Sequence, residues 1–467
     1  MLHPDNGGMP RERHTRAPRH RASAPRHAGA AARGRRRRVV AFSVAGALVV
    51  ALGTTGALAA AGVFAGAPAE VAGSPRPTSV APTPTVTPTP TPTVPYRESL
   101  ALTPPMGWNS WNYLRCNDLS EATVKSAADA IVARGLAAAG YEYIVVDDCW
   151  QAGRDANGVL LADPVRFPSG MKALGDYLHG KGLRFGIYAV PGSVTCANYW
   201  DRYPVRGIGS LGYEALDART FAEWGVDFLK YDWCRADIND GMTEPPAFAQ
   251  MEKELVATGR DIVLSISEYG ESQPWTWAPG IANMWRTSHD LHPNWKSLFD
   301  HINAEAGLSQ YARPGAWNDP DMLQLANGLG PNENITQMAM WCMLAAPLFI
   351  GTDPAALDQQ HVDLLTNPEL LAIDQDPLGK QGDRLRDADG IQLWARELSD
   401  GSYAVAFWNT SYSNLTGTTT LAELGLTGTF TVRDAINRVD LGTTSDAIAS
   451  PLVGAHGTAL LRLDPVG

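Results

Sequence analysis

Cysteine is scarce in this chain: 467 residues carry five, the first at Cys116 and the last at Cys342. An odd count leaves at least one thiol unpaired in a monomer, and Cys342, inside the apolar stretch 338–350, is the expected buried free thiol. Lysine is absent from the first 96 residues, where twelve arginines face only Asp5, Glu12 and Glu70. The whole chain nevertheless sums to −11, so everything beyond that segment is strongly acidic. Such a body repels phosphate backbones, which excludes nucleic acid as a partner. Closely spaced histidines are missing too. His289 and His292 form the one close pair in the body and lack a third ligand at fitting spacing, so neither a metal nor an organic cofactor is implied.

Charge of either sign disappears between residues 39 and 69, a run rich in Val, Ala, Leu and Gly that follows the basic segment 1–38. A cationic stretch ahead of an apolar one has the pattern of an export signal or a signal anchor. The run exceeds the ~20 apolar residues that span a bilayer, and small residues near 57–59 and 65–67 offer peptidase sites. Cleaved signal and retained anchor therefore both stand, and the arginines leave a twin-arginine route open. Residues 70–97 follow as a Pro/Thr-rich linker, PTPTVTPTPTPTVP at its centre. That composition builds no core and favours an extended, semi-rigid spacer, a tether to membrane or cell wall. The body is expected to be exported, secreted or held at the cell surface, where disulfides are stable.

From residue 98 to 378 short apolar strands alternate with helical segments. Strands are expected at 106–110, 143–147, 184–189, 228–232, 262–267, 284–287, 316–318 and 348–351. Ser120 caps a helix whose Val124, Ala128 and Ile131 share one face, expected to stop near Gly140. Further helices fit 169–180 and 216–224. Eight strand–helix units of this length point to an α/β fold, a (β/α)8 TIM barrel. Residues 379–467 change texture to period-two alternation split by Gly, Asp and Asn turns, which reads as an antiparallel β-sandwich.

Active sites of such barrels lie at the C-terminal ends of the strands. The polar and aromatic residues collected there are Trp108 and Trp111, Asp147 and Asp148, Tyr188, Lys230 and Asp232, Glu268 and Tyr269, Arg286 and Asp290, and Asn318, Asp319 and Asp321. Carboxylates ringed by tryptophans suit sugar chemistry: acids bind hydroxyls and break glycosidic bonds, and aromatic faces stack on pyranose rings. Lys230 and Asp232, two apart on a strand, leave it on the same face, and a neighbouring ammonium keeps a carboxylate ionised.

The motifs Pro105-Met-Gly-Trp-Asn-Ser-Trp111, Val146-Asp-Asp-Cys-Trp150, Gly186-Ile-Tyr-Ala189, Leu229-Lys-Tyr-Asp-Trp-Cys234, Trp285-Arg-Thr-Ser-His-Asp290 and Trp317-Asn-Asp-Pro-Asp-Met-Leu323 resemble those of glycoside hydrolase family 27, in family order and spacing. The resemblance implies a retaining hydrolase of terminal α-D-galactosyl residues, with Asp232 as nucleophile and Asp290 as general acid/base. It implies that Asp147 and Asp148 bind the 4- and 6-hydroxyls, and that Arg286 holds the 2-hydroxyl or the acid itself. Trp111, Tyr188, Cys196, Lys230, Glu268 and Tyr269 complete the substrate contacts, Glu268 favouring galactose. The general acid needs a raised pKa for its first step. Family pairing joins Cys116 to Cys149 and Cys196 to Cys234. Ser267 stands where many members carry a cysteine, and Tyr269 where galactosidases tend to have tryptophan. β-L-Arabinopyranosidase and α-N-acetylgalactosaminidase activities also occur in the family. The intact Asp147–Asp148 pair argues against the first and Glu268 against the second. From another class, a non-catalytic wall-carbohydrate-binding protein would keep the barrel, but both acids are present.

Overall fold

The computed structural model describes residues 99–466. The basic segment, the apolar run and the whole linker lie outside them. Among the described residues no helix is long and apolar enough to cross a membrane.

Eight parallel strands form one sheet: β1 Met106–Asn109, β2 Tyr143–Val146, β3 Arg184–Ala189, β4 Phe228–Asp232, β5 Val263–Ser267, β6 Met284–Arg286, β7 Trp317–Asp319 and β8 Leu348–Ile350. Neighbours in sequence pair and β8 pairs with β1, except that β7 and β8 share no ladder. There a single bridge between Leu323 and Ile350 closes the barrel, with the Leu323 amide donating to the Phe349 carbonyl at 2.8 Å. All eight expected strands are present within a residue or two of their expected bounds.

The helices differ in instructive ways. Ser120 accepts from the Thr123 amide and caps α1 (Glu121–Ala133), which buries Val124, Ala128 and Ile131 as expected. The helix stops seven residues short of Gly140, because Gly135 takes a left-handed φ of 77° directly after the Arg134 cap, a conformation open to glycine at no steric cost. Helix α2 (Gly170–His179) buries Met171, Leu174 and Leu178, and α3 is Glu214–Glu223. The helix expected in the fifth unit is missing: between β5 and β6 there is only a three-residue 3-10 turn, Pro274–Thr276. That connection serves the active-site rim instead.

The sandwich is lopsided. Six antiparallel strands make one sheet, and a two-stranded ribbon of Thr418–Thr420 and Ala447–Ala449 makes the other layer. Leu393, Val405, Phe407 and Leu461 face that ribbon. Trp394, Trp408 and Leu460 face the other way and join the barrel core. Strand Ile391–Glu397 is therefore buried on both sides, with its first four residues all inaccessible. Cys342 sits at this junction, buried and unpaired as expected, its carbonyl accepting from the Arg396 guanidinium at 2.7 Å.

Candidate active site

Period-two alternation builds the barrel interior in layers. Tyr143, Phe228 and Phe349 form an aromatic floor, with ring centroids 5.2–6.4 Å apart. Two residues further along the fourth strand comes Lys230, and two further Asp232, on the inward face; Leu229 and Tyr231 point outward into the core behind the sheet. A cavity of about 770 Å³ opens above this floor and is lined by Trp111, Asp147, Asp148, Tyr188, Cys196, Lys230, Asp232, Tyr269, Arg286 and Asp290. Of the expected catalytic and substrate-binding residues, only Glu268 is outside it.

Lys230 and Asp232 do share a face, but Lys230 bonds elsewhere. Its ammonium lies 2.9 Å from Asp147 Oδ2, which also accepts from Asn109 Nδ2 at 2.8 Å. Burial pushes Lys230 towards neutrality; Asp147 and then Asp232 outweigh it and hold the ammonium charged. Its influence on Asp232 is thus through space. Asp148 accepts the amides of Cys149 and Ala197 at 2.7 and 2.8 Å. Burial nevertheless pushes its carboxyl up to about 7, further helped by Asp147.

Asp232 is 3% exposed. Its Oδ1 accepts the Trp233 amide and the Tyr269 hydroxyl, both at 2.8 Å. Burial pushes it up to about 6, although Lys230 and the Tyr269 hydrogen bond pull it down. The Cys196–Cys234 disulfide, with Cα atoms 4.8 Å apart, passes beside it, and Cys196 Sγ lies 3.5 Å from Oδ2. Both sulfurs are spent in the bridge, so this cluster offers no thiolate to a cation. Cys116–Cys149 is the second bridge, Cα atoms 5.3 Å apart; both pairings agree with those the family implies.

Asp290 sits on the rim with 57% of its side chain exposed. Burial pushes its carboxyl up, but Arg286 and then Lys230 outweigh that and leave it below the ordinary carboxylate range. This corrects the expectation of a raised pKa. The cause is geometric: Arg286 is clamped by Asp321 at 3.1 Å and by the carbonyls of Ser288 and His289, and its Nη1 reaches Asp290 at 3.2 Å. Arg286 is therefore in contact with Asp290 in the empty cavity. Asp321 also accepts the Leu291 amide at 2.7 Å, which anchors the residue next to Asp290.

Glu268 is the other correction. Its carboxylate turns back into its own loop, accepting the Gly270 amide, the Ser272 amide and the Ser272 hydroxyl at 2.8–2.9 Å. The turn runs through left-handed φ at Tyr269 (69°) and Gly270 (79°). A Cβ at Gly270 would sit 2.2 Å from the Thr287 carbonyl oxygen, so only glycine fits. Tyr188 is buried in the wall and accepts the Cys196 amide at 3.3 Å; Trp111 carries Arg115 over its ring at 4.8 Å. Trp200 at the mouth, 62% exposed, has no strand-end position to betray it. The available signal is its place four residues after Cys196, one turn along the short helix Cys196–Trp200.

Seven buried carboxyls are raised mainly by desolvation: Asp148 to about 7, Asp232 to about 6, Glu268 to about 7, Glu305 to about 7 and Asp319 to about 6, with Asp217 raised and Asp374 raised well above the ordinary carboxylate range. Folded-state values above the unfolded ones mean that the native chain holds more protons through that window. Stability from these groups is complete at low pH and is lost as pH climbs towards about 7. Asp290 acts in the opposite sense, alone among the cavity carboxyls with a resolved shift. Scanning calorimetry is expected to give a thermal midpoint several degrees higher near pH 5 than near pH 7.5; a midpoint that rises over that interval would contradict the desolvated-carboxyl account.

A family model described as alpha galactosidase A matches residues 103–376, and one described as alpha galactosidase C-terminal beta sandwich domain matches 388–463. Alpha-galactosidase 2 of Arabidopsis thaliana is 43% identical over 344 residues, covering 73% of this chain and 83% of that protein. The alpha-galactosidase of Cyamopsis tetragonoloba is 43% identical over 370 residues, covering 78% and 87%. The crystal structure of alpha-galactosidase I from Mortierella vinacea superposes with a TM-score of 0.74 at 34% identity, covering 79% of this chain and 98% of that one. The two family matches cover the barrel and the sandwich, and the chain belongs to the α-galactosidase family of enzymes, glycoside hydrolase family 27.

Proposed function

We propose that this chain hydrolyses terminal α-D-galactosyl bonds with retention, by double displacement through a galactosyl ester on Asp232. The observation that carries the reading is the contrast between two carboxyls in one cavity. Asp232 is buried and fixed at one oxygen, as a nucleophile has to be. Asp290 is on the rim, open to a leaving group and to water. In the first step an Asp232 oxygen bonds to C1 while the glycosidic bond breaks and Asp290 delivers a proton to the departing oxygen. In the second step Asp290 takes a proton from water, whose oxygen attacks C1 and releases the Asp232 carboxylate. A sugar and aglycone seated against Asp290 exclude water and raise its pKa towards what proton donation needs. Asp147 and Asp148 meet the 4- and 6-hydroxyls. Two bonded cysteine pairs support work in an oxidising, exported setting, in keeping with the N-terminal signal pattern.

The test is a plate of nitrophenyl glycosides with the stereochemistry followed by proton NMR. The α-galactoside is expected to be cleaved at least ~10-fold more efficiently than the β-L-arabinopyranoside or the α-N-acetylgalactosaminide, with α-galactose appearing first. β-Galactose as the first product would end the double-displacement reading, and preference for either other glycoside would reassign the substrate.

A further inference from the structure

The two oxygens of Asp232 are not equivalent. Oδ1 takes two hydrogen bonds at 2.8 Å, from the Trp233 amide and from the Tyr269 hydroxyl. Oδ2 has Cys196 Sγ at 3.5 Å, and that sulfur, bonded to Cys234, has no proton to give. The phenol is held in place by more than its hydroxyl. Tyr269 adopts a left-handed φ of 69°, a strained conformation for a side chain of this size. The loop enforces it: Glu268 accepts the amides of Gly270 and Ser272 on either side of the turn, and Gly270 packs against the Thr287 carbonyl. His289 stacks on the ring with centroids 5.8 Å apart and planes 15° from parallel, and the Arg286 guanidinium lies 5.7 Å from the ring centroid.

We propose that Tyr269 is a positioning residue for the nucleophile: it fixes Oδ1 so that Oδ2 is the oxygen that attacks C1. The inference rests on the double-displacement reading and names the atom and the device within it. In glycosylation the Oδ2–C1 bond forms as the glycosidic C1–O bond breaks and the aglycone oxygen takes its proton from Asp290. In the second step water adds to C1, Asp290 receives the proton, and the electron pair of the Oδ2–C1 bond returns to Asp232. There the Tyr269 donor stabilises the charge that reappears on the carboxylate. A hydrogen bond to the charged form also lowers the pKa of Asp232. The other groups facing it are Lys230 and Asp147 below, Tyr188 in the wall, and Asp290 across the cavity; Arg286, and His289 with Glu271 beyond it, act on the phenol.

The experiment compares the parent enzyme with Tyr269→Phe and with 3-fluorotyrosine placed at position 269, on a nitrophenyl α-galactoside across pH. Tyr269→Phe is expected to lower kcat roughly 10- to 100-fold with KM little changed. The acid limb of kcat, read in the substrate complex where Asp290 is raised above Asp232, should move to higher pH, since Asp232 loses a donor that favours its ionised form. Fluorotyrosine keeps the shape and is a stronger donor, so it should move the same limb to lower pH. An acid limb unmoved in both variants, or a rise in KM alone, overturns the assignment. A parent without turnover, or an Asp232→Asn variant as fast as the parent, overturns the underlying reading and this one with it. That failure appears without touching Tyr269, so the two are told apart.

Discussion

Asp232→Gly is expected to remain folded and to lose roughly 10⁴-fold or more of its turnover of an aryl α-galactoside, with part of the loss restored by azide as β-galactosyl azide. The fold should survive because no direct ion pair is broken: Lys230 keeps Asp147 at 2.9 Å, and Asp147 keeps Asn109. Burial already holds the Asp232 carboxyl up at about 6, so its removal relieves a desolvation cost. What is lost is the atom that forms the ester. Azide is small enough to enter the vacated volume and attack C1 from the face opposite the leaving group, which inverts the anomeric centre. The product's configuration is therefore a direct report of which side of the sugar residue 232 occupies. α-Galactosyl azide from this variant, or turnover near the parent's, would remove Asp232 from the nucleophile's place.

The parts of this site that are legible in the amino-acid sequence share one property: they depend on local periodicity. Lys230 and Asp232 fall on one inward face because a strand alternates, and the strand ends at Asp147, Tyr188 and Arg286 follow from the same rule. Ser120 announces its helix through a cap within three residues. What local pattern does not carry is partner choice across the barrel. Lys230 pairs with Asp147, 83 residues away, through a register set when Tyr188 pairs with Lys230 and Val146 with Ile187. Nor does strand-end position show that a side chain will turn back. Glu268 occupies the right place for a substrate contact, yet the left-handed pair that follows it brings two amides within reach of its carboxylate. Gly270 is the visible hint. The missing helix after β5 has a similar origin: residues 268–283 are rich in Gly, Pro and Trp and spend their hydrogen bonds on turns. The sandwich is legible from a weak signal, since Ile391–Glu397 is buried on both faces and alternates only in which core it feeds.

Asp290→Ala should behave differently from the nucleophile variant, because its defect depends on the substrate. A group that donates a proton to the leaving oxygen matters most when that oxygen is basic. For a galactoside with a sugar aglycone the loss is expected to reach about 10²- to 10⁴-fold, the usual contribution of general acid–base catalysis. With a dinitrophenyl leaving group, which departs as a stable anion, the first step should be nearly intact. The second step still needs a base to activate water, so galactosyl-enzyme accumulates, and mixing is expected to show a burst of dinitrophenol followed by a slow steady state. Azide needs no base. It should relieve that steady state and yield α-galactosyl azide, since it enters from the rim face that Asp290 vacates, opposite the Oδ2–C1 bond. The variant should also lose the alkaline limb of its pH profile. In the parent that limb belongs to Asp290 for kcat, because bound substrate shields it from water and raises its pKa above the depressed value that Arg286 and Lys230 impose in the empty cavity; for kcat/KM, where Asp290 lies below Asp232, the upper limb belongs to Asp232. Equal losses for good and poor leaving groups, with no burst and no azide effect, would mean that Asp290 binds the sugar without moving a proton. The exposed carboxyl 3.2 Å from Arg286 would then be a substrate contact, and the acid would have to be sought elsewhere on the rim.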